Sequence, residues 1–214
     1  MTLLPQSKEM RRNMVDSQLR TDGVNAPWII AAMLATPREN FVAGANSAVY
    51  MDRSVPLGSG RMLNPPVATG QMLLAADPKA TDRVLLIGAG AGYLAALLTG
   101  RVPSLVAVEE SAALSDDFAA ALPDVSLLRS AHHSGAPDNA PFDLIIIDGA
   151  IEELPQTLVD QLVDGGRVVT GVTDGPVSRL ATGVKRGSHL ALRTVADMEI
   201  AALPGFARAK EFVF

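Results

Sequence analysis

The residues with the clearest chemical potential lie in VLLIGAGAGYLAALL, residues 84–98. Gly88, Gly90 and Gly92 interrupt an apolar run, and Tyr93 reopens it as an Ala/Leu-rich helix. A glycine turn between a buried strand and a helix lets backbone approach a ligand closely and points free N–H groups of the helix at it. The spacing here is GxGxG. The GxGxxG of dinucleotide sites needs glycine where Tyr93 stands, which disfavours a pyrophosphate. A second mark lies downstream. An acid that binds ribose hydroxyls stands about 20 residues beyond the first glycine, at the end of the next strand, and Glu109 closes the run SLVAVE at that place. Turn and acid together point to an adenosine-bearing ligand.

Other polar residues carry weaker signals. Asp148, in IIIDGA, stands at the end of an apolar strand run. A metal reading needs a second Asp-Asn pair downstream, and none precedes Gly165, so an Asp-Gly turn polarised toward the cleft is expected and no metal site. His132 and His133, beside Ser134-Gly135, read as a solvated loop pair. Trp28 reads as helix core, and Arg38 with Glu39 as a structural ion pair. Arg53 and Arg61, in a Pro/Gly-rich stretch, read either as contacts for an acidic substrate or as solubilising charge.

These groups need a frame. Met10, Met14, Val15 and Leu19 recur at helical spacing after a Ser7 cap and stop at Asp22-Gly23; a second helix runs from Pro27 to near Thr36. Residues 41–70 lack periodicity and carry Pro56, Gly58, Gly60, Pro65 and Pro66, the mark of an ordered loop or lid. From residue 83 the runs alternate. RVLLIG, SLVAVEE, VSLLR, FDLIIIDG and RVVTGV read as strands, while GYLAALLTG, SAALSDDFAAAL and LPQTLVDQLV read as helices. The order implies an α/β fold, a mostly parallel sheet with helices on both faces. A turn signal at Lys185-Arg186-Gly187-Ser188 predicts an antiparallel C-terminal hairpin. One domain over residues 1–214 is expected: an N-terminal helical segment (1–40), a lid or active-site loop (41–70) and a Rossmann-like core (71–214).

Composition narrows the function classes. The net charge of −5 and the 4% aromatic content argue against a nucleic-acid backbone or base-stacking platform as partner. The absence of cysteine removes disulfides, thiolate metal sites and cysteine nucleophiles. No run approaches the roughly 18 apolar residues of a membrane span. A cytoplasmic chain without nucleic-acid or membrane partners is the expectation; oligomeric state is not encoded legibly.

The ordered blocks of the chain resemble those of the protein-L-isoaspartate O-methyltransferase family, a branch of the class I S-adenosylmethionine-dependent methyltransferases. GVNAPWIIAAMLATPRENFV resembles that family's entry helix and MDRSVPLGSGRMLNPP its active-site loop. VLLIGAGAGYLAALL resembles its cofactor loop, FDLIIIDGAIEELPQTLVDQLVDGGRVV its fourth-strand block and GFARAKEFVF its closing strand. The resemblance implies a Rossmann-like fold, S-adenosylmethionine as cofactor, and methylation of carboxylates on isoaspartyl residues of damaged proteins or peptides. It assigns Gly88, Gly90, Gly92, Tyr93, Glu109 and Asp148 to the cofactor and Gly60, Arg61 and Asn64 to the catalytic, substrate-facing side.

The chain departs from the family pattern at four contact positions. Met62 and Asn64 stand where the active-site loop carries hydroxyl residues, Leu86 where the first strand carries an acid, and Ala131 where an aspartate follows the third strand. Two alternatives therefore stand beside the methyltransferase reading: a homologue that binds or regulates without catalysing, and an O-methyltransferase of small molecules.

Overall fold

The computed structural model describes residues 6–110 and 118–208. Helix α1 (Ser7–Met14) runs on through a π-helical turn, Val15–Leu19, which buries Met14, Val15 and Leu19. Ser7 is the first helical residue, and Gln6, not Ser7, occupies the cap position. Helix α2 (Pro27–Ala35) starts on its proline and buries Ile29, Ile30 and Met33.

The stretch that looked aperiodic is ordered by pairing and by buried polar groups. Strands β1 (Val55–Gly58) and β2 (Arg61–Leu63) form an antiparallel hairpin whose tip, Gly58, Ser59 and Gly60, has positive φ throughout. Residues 66–70 depart from the lid expectation. They open helix α3 (Pro66–Ala76), which is buried along most of its length. Pro65 before that helix and Pro66 at its first position hid it, because Pro suits a first turn as well as a loop.

The core sheet comprises β3 (Arg83–Ile87), β4 (Ser104–Glu109), β5 (Ser126–Arg129), β6 (Phe142–Ile151), β7 (Leu162–Asp174), β8 (Val177–Val184) and β9 (Arg193–Asp197). Its order is β5-β4-β3-β6-β7-β8-β9. The first five pair in parallel, and β7, β8 and β9 are antiparallel, with the predicted turn inside the β8–β9 connection. Helix α4 (Tyr93–Leu98) follows the glycine turn; α5 (Phe118–Ala121) and α6 (Gln156–Asp160) are short.

Side-chain alternation divides the core in two. Val84, Leu86, Leu105, Ala107, Leu144 and Ile146 face the N-terminal helices, α3 and α4. Leu85, Ile87, Val106, Val108, Ile145 and Ile147 face the opposite layer with Leu158, Leu203 and Phe206. Strands buried on both faces read as unbroken apolar runs, as these do.

Three sequence expectations change. The helix expected across 154–163 ends at Asp160, because Leu162 already pairs with Phe142 and is buried. Asp148-Gly149 is not a turn but part of β6, whose pairing with β7 is irregular between Ile146 and Ala150. Residues 205–208 form no strand; they follow a segment that bonds to β6 through Ala150 N–H to Ala201 O and Leu203 N–H to Ala150 O, both 2.8 Å. The rest of the expected closing strand, 209–214, and residues 111–117 of the helix expected at 111–122, lie outside the described residues.

Candidate active site

The site forms where β3 and β4 end side by side. Gly88, Gly90 and Gly92 all have positive φ (77°, 54° and 96°), a path from strand to helix that a side chain at these positions would strain. Gly88 and Ala89 N–H both donate to Val108 O, which fastens the turn to β4. A Cβ on Gly92 would lie 2.6 Å from Phe118 Cε2, so this glycine also makes room for α5. Tyr93 opens α4, and its ring lies 4.7 Å under the Arg38 guanidinium and edge-on to Phe41 at 5.4 Å.

Glu109 closes β4 and is fully buried. Its Oε2 accepts from Gly90 N–H at 2.7 Å and from Arg61 Nε at 3.1 Å. Its Oε1 accepts from His132 Nε2 at 2.7 Å and Glu110 N–H at 3.0 Å. Burial raises the carboxyl pKa, but the His132 hydrogen bond, the Arg61 and His132 charges and the Gly90 N–H outweigh it and hold it at about 2.

His132 corrects the sequence reading. It is not solvated: the ring is fully buried, Nδ1 reaches Pro204 O and Glu110 Oε1 at 3.0 Å each, and Phe206 stacks on it at 6.3 Å. Burial lowers its pKa, yet the Glu109 hydrogen bond, the Pro204 carbonyl and the two glutamate charges together raise it. An imidazolium donating from both nitrogens fits these acceptors. His133 is exposed.

Arg61 also departs from both readings made for it. Instead of facing solvent or substrate it is buried, bound to Glu109 and, through Nη2, to Gly88 O at 2.8 Å. Gly60 lies at the hairpin tip, where a Cβ would meet nothing within 4 Å; its place is explained by turn geometry. Arg53 is exposed.

Asn64 sits at the far end of the hairpin and connects three segments. Its Nδ2 donates to Asp148 Oδ1 at 2.7 Å, its Oδ1 accepts from Ala201 N–H at 2.8 Å, and its carbonyl accepts from Arg38 Nη2 at 2.8 Å. Burial raises the Asp148 pKa, against the lowering effect of the Asn64 amide and of Arg61 and Arg38. Glu39 accepts from the Tyr50 hydroxyl and lies 4.0 Å from Arg11, so its charge partner is Arg11 rather than the expected Arg38. Leu86 packs in the layer of α3 and α4, and Ala131 precedes a 3-10 turn. Among the described residues no group of three or more His, Asp or Glu is arranged for a metal ion.

A buried acid and a glycine turn at the ends of adjacent central parallel strands, in a sheet that finishes antiparallel, define a class I methyltransferase fold. The family model for protein-L-isoaspartate(D-aspartate) O-methyltransferase matches residues 9–203, and the chain belongs to that family. It is 34% identical to a protein-L-isoaspartate O-methyltransferase of Methanoculleus marisnigri over 82% of this chain and 83% of that one. It is 36% identical to the one of Methylorubrum extorquens over 79% and 76%. Among solved structures, a protein-L-isoaspartate O-methyltransferase superposes with a TM-score of 0.77 at 23% identity, covering 91% of this chain and 66% of that chain. A crystal structure described as such an enzyme from Plasmodium falciparum, in complex with S-adenosyl-L-homocysteine, superposes with a TM-score of 0.74 at 16% identity, covering 93% and 98%.

The groups expected to meet an adenosine-bearing cofactor are bonded to the protein itself. Both Glu109 oxygens are engaged by protein donors. Side chains pack against the turn: a Cβ on Gly88 would lie 2.8 Å from Leu203 Cδ1 and 3.0 Å from Arg61 Nη2, and one on Gly90 3.2 Å from Leu57 Cδ1.

Proposed function

We propose that this chain transfers a methyl group from S-adenosylmethionine to carboxylates of isoaspartyl residues in proteins or peptides, as a cytoplasmic repair enzyme. The observation that carries the reading is the buried Glu109 carboxylate bonded to the Gly90 N–H at the ends of β4 and β3. It is a constellation suited to a ribose beside a close backbone turn. The cofactor supplies an electrophilic sulfonium methyl when bound. A substrate carboxylate is already ionised at neutral pH, so the chain has little proton transfer to perform and contributes alignment and exclusion of water. Glu109 and the turn orient the donor. Asn64, held by Asp148, Ala201 and Arg38, fixes the hairpin end on the acceptor side.

The test is transfer of labelled methyl to an isoaspartyl peptide, with the aspartyl isomer as control. Incorporation specific to the isoaspartyl form is expected; none above a boiled sample overturns the reading. A second reading, a homologue without catalysis, is favoured by the saturation of Glu109 and by Met62 and Asn64 in the active-site loop. It is excluded if that incorporation is found.

A further inference from the structure

Arg61 is a buried arginine on a short hairpin whose guanidinium takes up the group most suited to a ribose. It makes two bonds there, to Glu109 Oε2 and to Gly88 O. The hairpin also lays Leu57 over the turn, where a Cβ on Gly90 would lie 3.2 Å from Leu57 Cδ1. Its tip residues, Gly58, Ser59 and Gly60, face open space where glycine stands. The hairpin end at Asn64, by contrast, is fixed by three hydrogen bonds. A ligand that needs Glu109 Oε2 and the space above Gly88 must therefore displace the Arg61 side chain, with the hairpin that carries it, and shift the Leu203 side chain, while Asn64 stays bonded and His132 keeps Glu109 Oε1.

We propose that Arg61 is an intramolecular competitor for the cofactor's anchor. The closed hairpin 55–63 excludes the adenosine-bearing ligand, and binding requires exchange of the Arg61–Glu109 pair for ligand hydroxyls. The inference rests on the reading that this site takes S-adenosylmethionine. It adds that the occupied and lid-closed states are mutually exclusive, so apparent affinity is reduced by the fraction of molecules in the closed state.

The experiment is calorimetric titration of S-adenosylhomocysteine into the full chain, wild type against Arg61→Ala and Arg61→Lys, with hydrogen exchange of amides 55–63 read in parallel. Arg61→Ala is expected to bind at least about tenfold more tightly than wild type, with Arg61→Lys between them. The hairpin amides exchange faster in Arg61→Ala without any ligand. Wild-type binding that Arg61→Ala leaves equal or weakens overturns the competition and leaves the functional reading standing. If both proteins stay silent at millimolar ligand while the hairpin amides of Arg61→Ala do exchange faster, the cofactor reading fails and the competition falls with it. Should Arg61→Ala not fold, the wild type alone decides. Ligand must deprotect amides 57–61, and unchanged or increased protection on binding refutes the inference.

Discussion

Replacing Glu109 with glutamine tests the central node directly. The side chain keeps its shape but loses the charge that balances Arg61 and His132, both buried. Removing one member of a buried ion pair costs about 3–5 kcal/mol. A second route gives the same scale: a carboxyl held at about 2 against an ordinary 4.5 contributes about 3 kcal/mol at neutral pH. For a domain of this size the loss corresponds to a melting point lower by roughly 6–20 °C. The sign of the pH effect follows from the lowered pKa. Stability from Glu109 is present above 4.5 and lost as pH falls from there toward 2, so wild type has an acid limb that Glu109→Gln lacks. Thermal and urea melts followed by circular dichroism measure both effects. The double variant with Arg61→Met removes both charges and should lose at least about 1 kcal/mol less than the sum of the single losses. A single-variant cost below about 1 kcal/mol, or strict additivity, refutes the assignment of Glu109 as an ionised, compensated centre.

Three further outcomes follow from the same geometry. The His132 pKa is raised above 6.5, so its stabilisation is present below that value and lost as pH rises through the raised one; His132→Asn should flatten the alkaline decline of the melting point. Gly92→Ala places a Cβ at φ +96° and 2.6 Å from Phe118, and a cost of at least about 1–3 kcal/mol should appear as a lower urea midpoint. Asn64→Ala removes the link between Asp148 and Ala201, costing about 1–3 kcal/mol. It should also slow methyl transfer to an isoaspartyl peptide about tenfold, a loss of about 1.4 kcal/mol in transition-state stabilisation; an unchanged rate with a lowered melt makes Asn64 structural only.

The features legible in the sequence are those fixed by neighbours along the chain. Apolar runs, the GxGxG spacing and the interval to Glu109 are local patterns, and each lies in the structure where those patterns place it. What escaped depends on partners distant in sequence. His132 looked solvated because Ser134 and Gly135 follow it, yet β5 pairing beside β4 brings it to Glu109, and Pro204 and Phe206 cover it. Arg61 read either as a contact for an acidic substrate or as solubilising charge because its carboxylate partner lies 48 residues away. A buried-pair signal was available in principle, since an arginine flanked by Gly60 and Met62 on a short strand alternates inward with Leu63. Helix α3 was missed for a different reason: its proline, glycine and threonine weaken propensity, and burial supplies what propensity does not.

Arg38 bears on the competition inferred for Arg61. Its Nε holds Val49 O at 2.7 Å and its Nη2 holds Asn64 O, so one buried guanidinium fastens both feet of the segment between them. Closing a short loop once, during folding, is far cheaper than searching for its place at every ligand cycle. With its feet fixed, the hairpin cannot diffuse away from the cleft, and Arg61 meets Glu109 at an effective concentration of at least about millimolar. A free guanidinium compound in solution would be a feeble inhibitor of such a site; the same group on a tethered arm reoccupies it after each departure. The strength of that restraint is thus set by Arg38 as much as by the Arg61–Glu109 pair.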